Sequence, residues 1–167
     1  MQERNSKEKD LNTLKKRRER LLIIDSSFLM LPVSGKSKRL NVEDALFRLS
    51  EGRKLVVLDV TIRELNLLKS KSKGKKKLAA DFALDLIKVL KMPVIKVPEE
   101  IKEEVMKEAE GKRGWEITDE ILARTAKKLK AAVATTDLEL KRKLEKMGVP
   151  VYYLRGKKWI YSSGEYV

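Results

Sequence analysis

Five short, almost uninterrupted apolar runs constrain the fold of this chain more than any other feature. They are Leu21-Leu22-Ile23-Ile24, Leu55-Val56-Val57-Leu58, Val94-Ile95-Lys96-Val97, Ala131-Ala132-Val133-Ala134 and Val149 to Leu154. A strand with one wet face alternates polar and apolar residues; a continuous apolar run is what a strand buried on both faces looks like. The segments between the runs carry apolar residues at helical spacing. Residues 42–50 do so through Val42, Ala45, Leu46 and Leu49, and residues 62–69 likewise. Residues 78–90 follow through Leu78, Phe82, Leu86 and Leu90, then 99–110 (entered by Pro98), 119–130, and 137–147, closed by Gly148. Strands alternating with helices predict an α/β fold, a central parallel sheet flanked by helices in three layers. Beyond Arg155 a Gly-Lys-Lys turn and an aromatic segment around Trp159 and Tyr161 read as an edge hairpin. The expected organisation is a basic arm over residues 1–20 and a single domain over 21–167.

Charge narrows the partner. Lys and Arg total 39 and Asp and Glu 25, a net charge of +14. Such an excess suits a polyanion, most simply nucleic acid. No apolar run approaches the roughly 18 residues a membrane span needs. The polar start of the chain lacks a signal-like apolar stretch, so a cytoplasmic protein without membrane contact is expected. Cys and His are both absent. Disulfides, zinc fingers, thiol nucleophiles and histidine acid–base chemistry are thereby excluded. Any catalysis must come from carboxylates, hydroxyls, Lys, Arg, backbone or bound metal. The high charge content with few thermolabile residues resembles heat-adapted proteins.

In an open α/β sheet, ligands bind beyond the carboxyl ends of the strands. Asp25 ends the first apolar run, Glu64 falls in the first helical turn after the second, Asp119 opens a helix, and Asp137 follows the fourth run. Carboxylates converging from distant parts of a chain repel one another unless a cation lies between them, and hard divalent ions favour oxygen ligands. Each acid also has an ordinary explanation. Thr61 to Glu64 and Thr136 to Glu139 fit the capping box; Asp119 suits a helix N-terminus, and Asp25 could cap the helix after the first strand.

The residues themselves resemble a family. Ile-Ile-Asp25-Ser26-Ser27-Phe28-Leu29 is similar to the opening motif of PIN-domain ribonucleases, and Val60-Thr-Ile-Arg-Glu64-Leu65 to their second. Thr118-Asp119-Glu-Ile-Leu-Ala123 resembles the third motif, and Ala134-Thr135-Thr136-Asp137-Leu138-Glu139-Leu140 the fourth. The stretch from Asp137 through Gly148-Val-Pro-Val-Tyr-Tyr is most similar to the ribosome-processing branch, as is Asp59; Ser27 departs from that branch, which often has Asn there. The resemblance implies a flavodoxin-like sheet and hydrolysis of RNA phosphodiesters with Mg²⁺ or Mn²⁺. Asp25, Glu64, Asp119 and Asp137 would be the catalytic, metal-binding acids. Ser26 and Thr135 would be supporting hydroxyls, and Glu120 and Glu139 auxiliary acids.

Lys69, Lys71, Lys73, Lys75, Lys76 and Lys77 place six lysines in nine positions, either a solvated loop or a contact for the RNA backbone. Arg155, Lys157 and Lys158 beside Tyr152, Tyr153, Trp159 and Tyr161 offer charge and base stacking, or packed edge-strand aromatics. Gly35-Lys36-Ser37 resembles the end of a phosphate-binding loop, but Met30 stands where that motif needs Gly, which rejects it. The first reading is therefore an endoribonuclease maturing ribosomal RNA precursor. Its rivals are a toxin-type PIN ribonuclease with a small antitoxin, a non-catalytic RNA-binding assembly factor, and a response-regulator-like domain, which spreading of the acids and the basic charge argue against. A homodimer is compatible with each.

Overall fold

The structure, a computed structural model, describes residues 20–31, 46–48, 50, 52–155 and 159–163. The basic arm up to residue 19, Gly35-Lys36-Ser37, most of the helix expected over 42–50 and the turn at 156–158 lie outside the described residues. Strand β1 (Arg20–Ile24) leads into a short helix α1 (Ser26–Leu29), and β2 (Arg53–Leu58) runs directly into α2 (Asp59–Lys71). Then come α3 (Lys75–Val89), β3 (Val94–Ile95), α4 (Glu99–Lys107) and α5 (Gly114–Leu129). The chain continues with β4 (Ala132–Thr135), α6 (Leu138–Lys146), β5 (Val151–Arg155) and β6 (Trp159–Ser163).

The sheet order is β3-β2-β1-β4-β5-β6. The first five strands are parallel, and β6 turns back antiparallel on β5, the edge hairpin expected from sequence. Alternation along β1 divides the core into two. Ile23 joins Val56, Val133 and Val151 under α4, α5 and α6, through Val105, Leu122 and Leu144. Leu22 and Ile24 join Val57, Ala132 and Ala134 on the other face, against Phe28, Leu65, Ala83 and Leu86. Both faces of the strands are thus dry, which is why the runs are apolar throughout. Among the described residues no helix is long and apolar enough to cross a membrane.

Of the boundaries that differ from expectation, three matter for the site. α2 begins at Asp59, three residues earlier than its apolar spacing indicates, with Leu58 as N-cap. Thr61 is therefore a buried residue inside the helix and caps nothing. α5 begins at Gly114, where the Glu116 carboxylate accepts the Arg113 N–H at 3.4 Å. Asp119 consequently sits in the second turn rather than at the helix start. β3 is only two residues long. Its neighbourhood is tied instead by Asp59, whose Oδ1 accepts the Val60 N–H at 2.8 Å and the Val97 N–H at 3.1 Å. Lys102 Nζ lies 3.6 Å from the other oxygen. α6 ends as expected, with Gly148 at φ 75°, a left-handed conformation that a side chain resists.

Candidate active site

Asp25 emerges where β1 stops. It holds the N-cap position of α1 but makes no side-chain capping bond. Its Oδ2 instead accepts the Ser27 hydroxyl at 2.6 Å and the Thr135 hydroxyl at 2.8 Å. Each hydroxyl has one proton, and both are committed to Asp25, so the 3.2 Å between the two oxygens is a contact rather than a bond. The hydroxyl oxygens in turn accept backbone amides: Ser27 takes the Thr136 N–H and Thr135 takes the Asp137 N–H, both at 3.1 Å. The end of β4 is thereby stitched to the end of β1, a join continued by the Asp25 N–H to the Ala134 carbonyl at 2.9 Å.

Glu64 lies in the second turn of α2, since that helix starts early. Its Oε1 accepts the Ser26 hydroxyl at 2.8 Å, so adjacent serines divide their work between two acids. Asp137 is the N-cap of α6, and its Oδ1 accepts the Glu139 N–H at 2.9 Å and the Leu140 N–H at 3.3 Å. None of the four ordinary explanations survives as stated: the cap of α6 is Asp137 itself, not Thr136. Asp25 caps nothing, Glu64 belongs to no capping box, and Asp119 is a turn away from the helix start.

Electrostatics tie the four together. Burial, chiefly, raises the Asp25 pKa above its ordinary range, against the hydrogen bonds from Ser27 and Thr135; the Asp137 charge adds to the rise. Glu64 is raised first by burial, with a further push from Asp25. Asp119 is carried from its ordinary 3.8 to about 7 by burial and then by the charges of Asp25, Asp137 and Glu64. Lys143 is the opposing charge there, and its own pKa is lowered by burial and by Lys112. Four carboxylates therefore share one electrostatic neighbourhood at the strand ends. Among the described residues, no three acidic side chains stand ready to ligate a metal. Asp25, Glu64 and Asp137 are each turned to a neighbouring hydroxyl or amide. The donor set nevertheless fits a divalent cation: oxygen ligands of like charge, partly buried, each raised residue poorly compensated.

Glu120, a suggested auxiliary acid, forms ion pairs with Arg124 at 2.9 Å and with Lys143. Glu139 is exposed in the first turn of α6. Of the lysine group, Lys69 pairs with Asp81 at 2.8 Å. Lys71, Lys73, Lys75, Lys76 and Lys77 are exposed around the turn between α2 and α3. Tyr152 receives the Arg53 Nε–H at 2.8 Å, and Lys141 Nζ stands 4.1 Å from the centre of the Tyr153 ring. Sequence reasoning missed two residues. Ser27 was noted only for departing from a pattern, although a hydroxyl two residues past a strand-ending acid can reach back to it. Lys143 is hidden in the charged run of α6; its place beside the buried Leu144 was the available signal.

The Asp119 shift gives a stability prediction. Between pH 4 and 7, about, the folded chain keeps a proton that the unfolded chain releases, so stability falls as pH rises through that window. Asp119→Asn removes the loss. In EDTA the variant is expected to melt above the parent at pH 8 and level with it near pH 4. Equal melting at pH 8 would mean that burial and the neighbouring acids do not raise Asp119 as described.

An α/β domain with a parallel sheet and an acid-lined rim at its strand ends is the class defined by fold and site. The chain belongs to the PIN-like domain family: the family model described as "PIN like domain" matches residues 22–157. It is 32% identical over 142 residues to Ribonuclease VapC9 of Archaeoglobus fulgidus, covering 85% of this chain and 88% of that protein. Among solved structures it is similar to the PIN domain endonuclease Utp24, with a TM-score of 0.58 and 18% identity over 87% of this chain and 92% of that one. VapBC2 from Rickettsia felis, bound to a DNA fragment from its promoter, gives a TM-score of 0.57 and 16% identity, covering 81% and 99%. At those identities the two structures bear on the fold alone.

Proposed function

We propose that the protein is a divalent-metal-dependent endoribonuclease. The observation that carries the reading is the convergence of four carboxylates on one strand-end rim, where Asp119 is pushed up to about 7 by burial and then by the charges of Asp25, Asp137 and Glu64. Acids brought from four elements into mutual repulsion make sense where a cation binds. Asp25, Glu64, Asp119 and Asp137 would hold Mg²⁺ or Mn²⁺. When bound, the ion would acidify a water and offset charge building on the phosphate. Ser27 and Thr135 orient Asp25, and Ser26 orients Glu64, so their hydroxyls fix the carboxylates in place. Exposed lysines around the turn that joins α2 to α3 supply attraction for the RNA backbone. The arm over residues 1–20, with eight Lys and Arg against four Asp and Glu, would add a second basic contact.

On biological setting, the comparisons favour the toxin-type reading over ribosomal RNA maturation. The VapC9 relative matches in sequence across most of both chains, whereas the resemblance to Utp24 is one of fold. The partner in that setting is a small antitoxin. Expression of the chain should arrest growth, and co-expression of a neighbouring small protein should relieve the arrest. Purified protein should cut single-stranded RNA with Mn²⁺ and not with EDTA. Absence of cutting with either metal would overturn the enzymatic reading; cutting without arrest, together with co-sedimentation with pre-ribosomal particles, would return the ribosomal one.

A further inference from the structure

Trp115 is about half exposed, unusual for the largest side chain. It lies on α5 four residues before Asp119, and residues four apart share a helix face. The same stripe continues to Leu122, which is buried in the core under the sheet. One face of α5 thus runs from core (Leu122) to acidic rim (Asp119) to an exposed indole beyond it. Only about 6 Å of helix axis separates the last two. The surroundings of the indole suit a phosphate chain. Lys112 and Arg113 precede it and are exposed, and Lys143 of α6 reaches this side of α5 through its ion pair with Glu120.

Resting on the ribonuclease reading, we propose that Trp115 is a stacking platform for a nucleobase of the RNA, next to the phosphate held at the acidic rim, with Lys112 and Lys143 contacting the flanking backbone. An indole face stacks on any base and so holds a strand without reading its sequence. Positive charge beside it is needed because the acids repel phosphate.

The test uses the full chain carrying Asp25→Asn, the variant expected to bind without cutting. A short oligoadenylate is titrated while tryptophan fluorescence and, with a labelled copy, anisotropy are read. Inorganic polyphosphate, which has charge but no base, is the comparison. Oligoadenylate is expected to quench the fluorescence and polyphosphate to bind without quenching. Adding Trp115→Phe, which leaves Trp159 as the remaining tryptophan, should remove the quench. Trp115→Ala should weaken binding roughly 5- to 100-fold, and Trp115→Phe should restore most of it. Binding without a quench, or an Ala variant that binds like its parent, overturns the platform while leaving the nuclease reading intact; the indole would then belong to a protein contact. Failure of the parent to bind any RNA overturns both.

Discussion

Asp25→Asn is expected to slow RNA cleavage by at least about 10³-fold while RNA affinity holds or improves slightly. A loss of that size is about 4 kcal/mol of transition-state stabilisation, within what a metal-binding acid contributes. Asn keeps the volume and still offers an oxygen to the Ser27 and Thr135 hydroxyls, which both bond Oδ2 of Asp25. The stitching between β1 and β4 therefore survives and the charge alone is lost. With binding measured in EDTA, removing a negative charge near phosphate cannot weaken it through electrostatics, so kcat and Kd should separate. Single-turnover cleavage and anisotropy on one preparation measure both. A variant cutting within tenfold of the parent would remove Asp25 from the chemistry.

Replacing Lys73, Lys75, Lys76 and Lys77 with Ala should have the opposite signature: chemistry preserved at saturation, binding weakened. Four phosphate contacts on single-stranded RNA correspond to a log–log salt slope of roughly −3, and hence to about a fiftyfold change in affinity between 50 and 200 mM salt. The variant should lose that share of the slope. Lys75, Lys76 and Lys77 form the first turn of α3, which holds no acidic residue. Cations at a helix N-terminus oppose its dipole, so their removal should stabilise the fold, on the order of 1 kcal/mol in all. A protein that melts higher yet binds RNA less tightly cannot owe the binding loss to unfolding. An unchanged salt slope would leave the turn as solvated surface.

The strands were legible because burial on both faces leaves no room for a polar residue, and Leu22, Ile23 and Ile24 each belong to a core. Asp25 and Asp137 were placed for a related reason: a carboxylate that follows such a run lands on the sheet's rim. Helix starts were not. α2 is entered through Leu58 and α5 through Arg113, neither of which is a recognisable cap. Asp119 and Glu64 were consequently placed too near their helix ends. The division of labour between Ser26 and Ser27 was also hidden. It depends on which hydroxyl faces α2 and which faces β4, and that is fixed by tertiary packing rather than spacing.

Strand β1 lies between β2 and β4, and β4 begins at Ala132. During synthesis, then, β1 and β2 can pair long before the strand that completes the other side of β1 exists. Until it does, Asp25 has no Thr135 and α6 is not there to bring Asp137. Pairing across so long a stretch of chain is entropically slow, and the waiting edge of β1 is a site for wrong pairing. A nascent or truncated chain that ends before β4 would therefore carry three of the acids but not the rim they share with Asp137. A chain still on the ribosome would thus hold an incomplete acidic rim until most of it had been made.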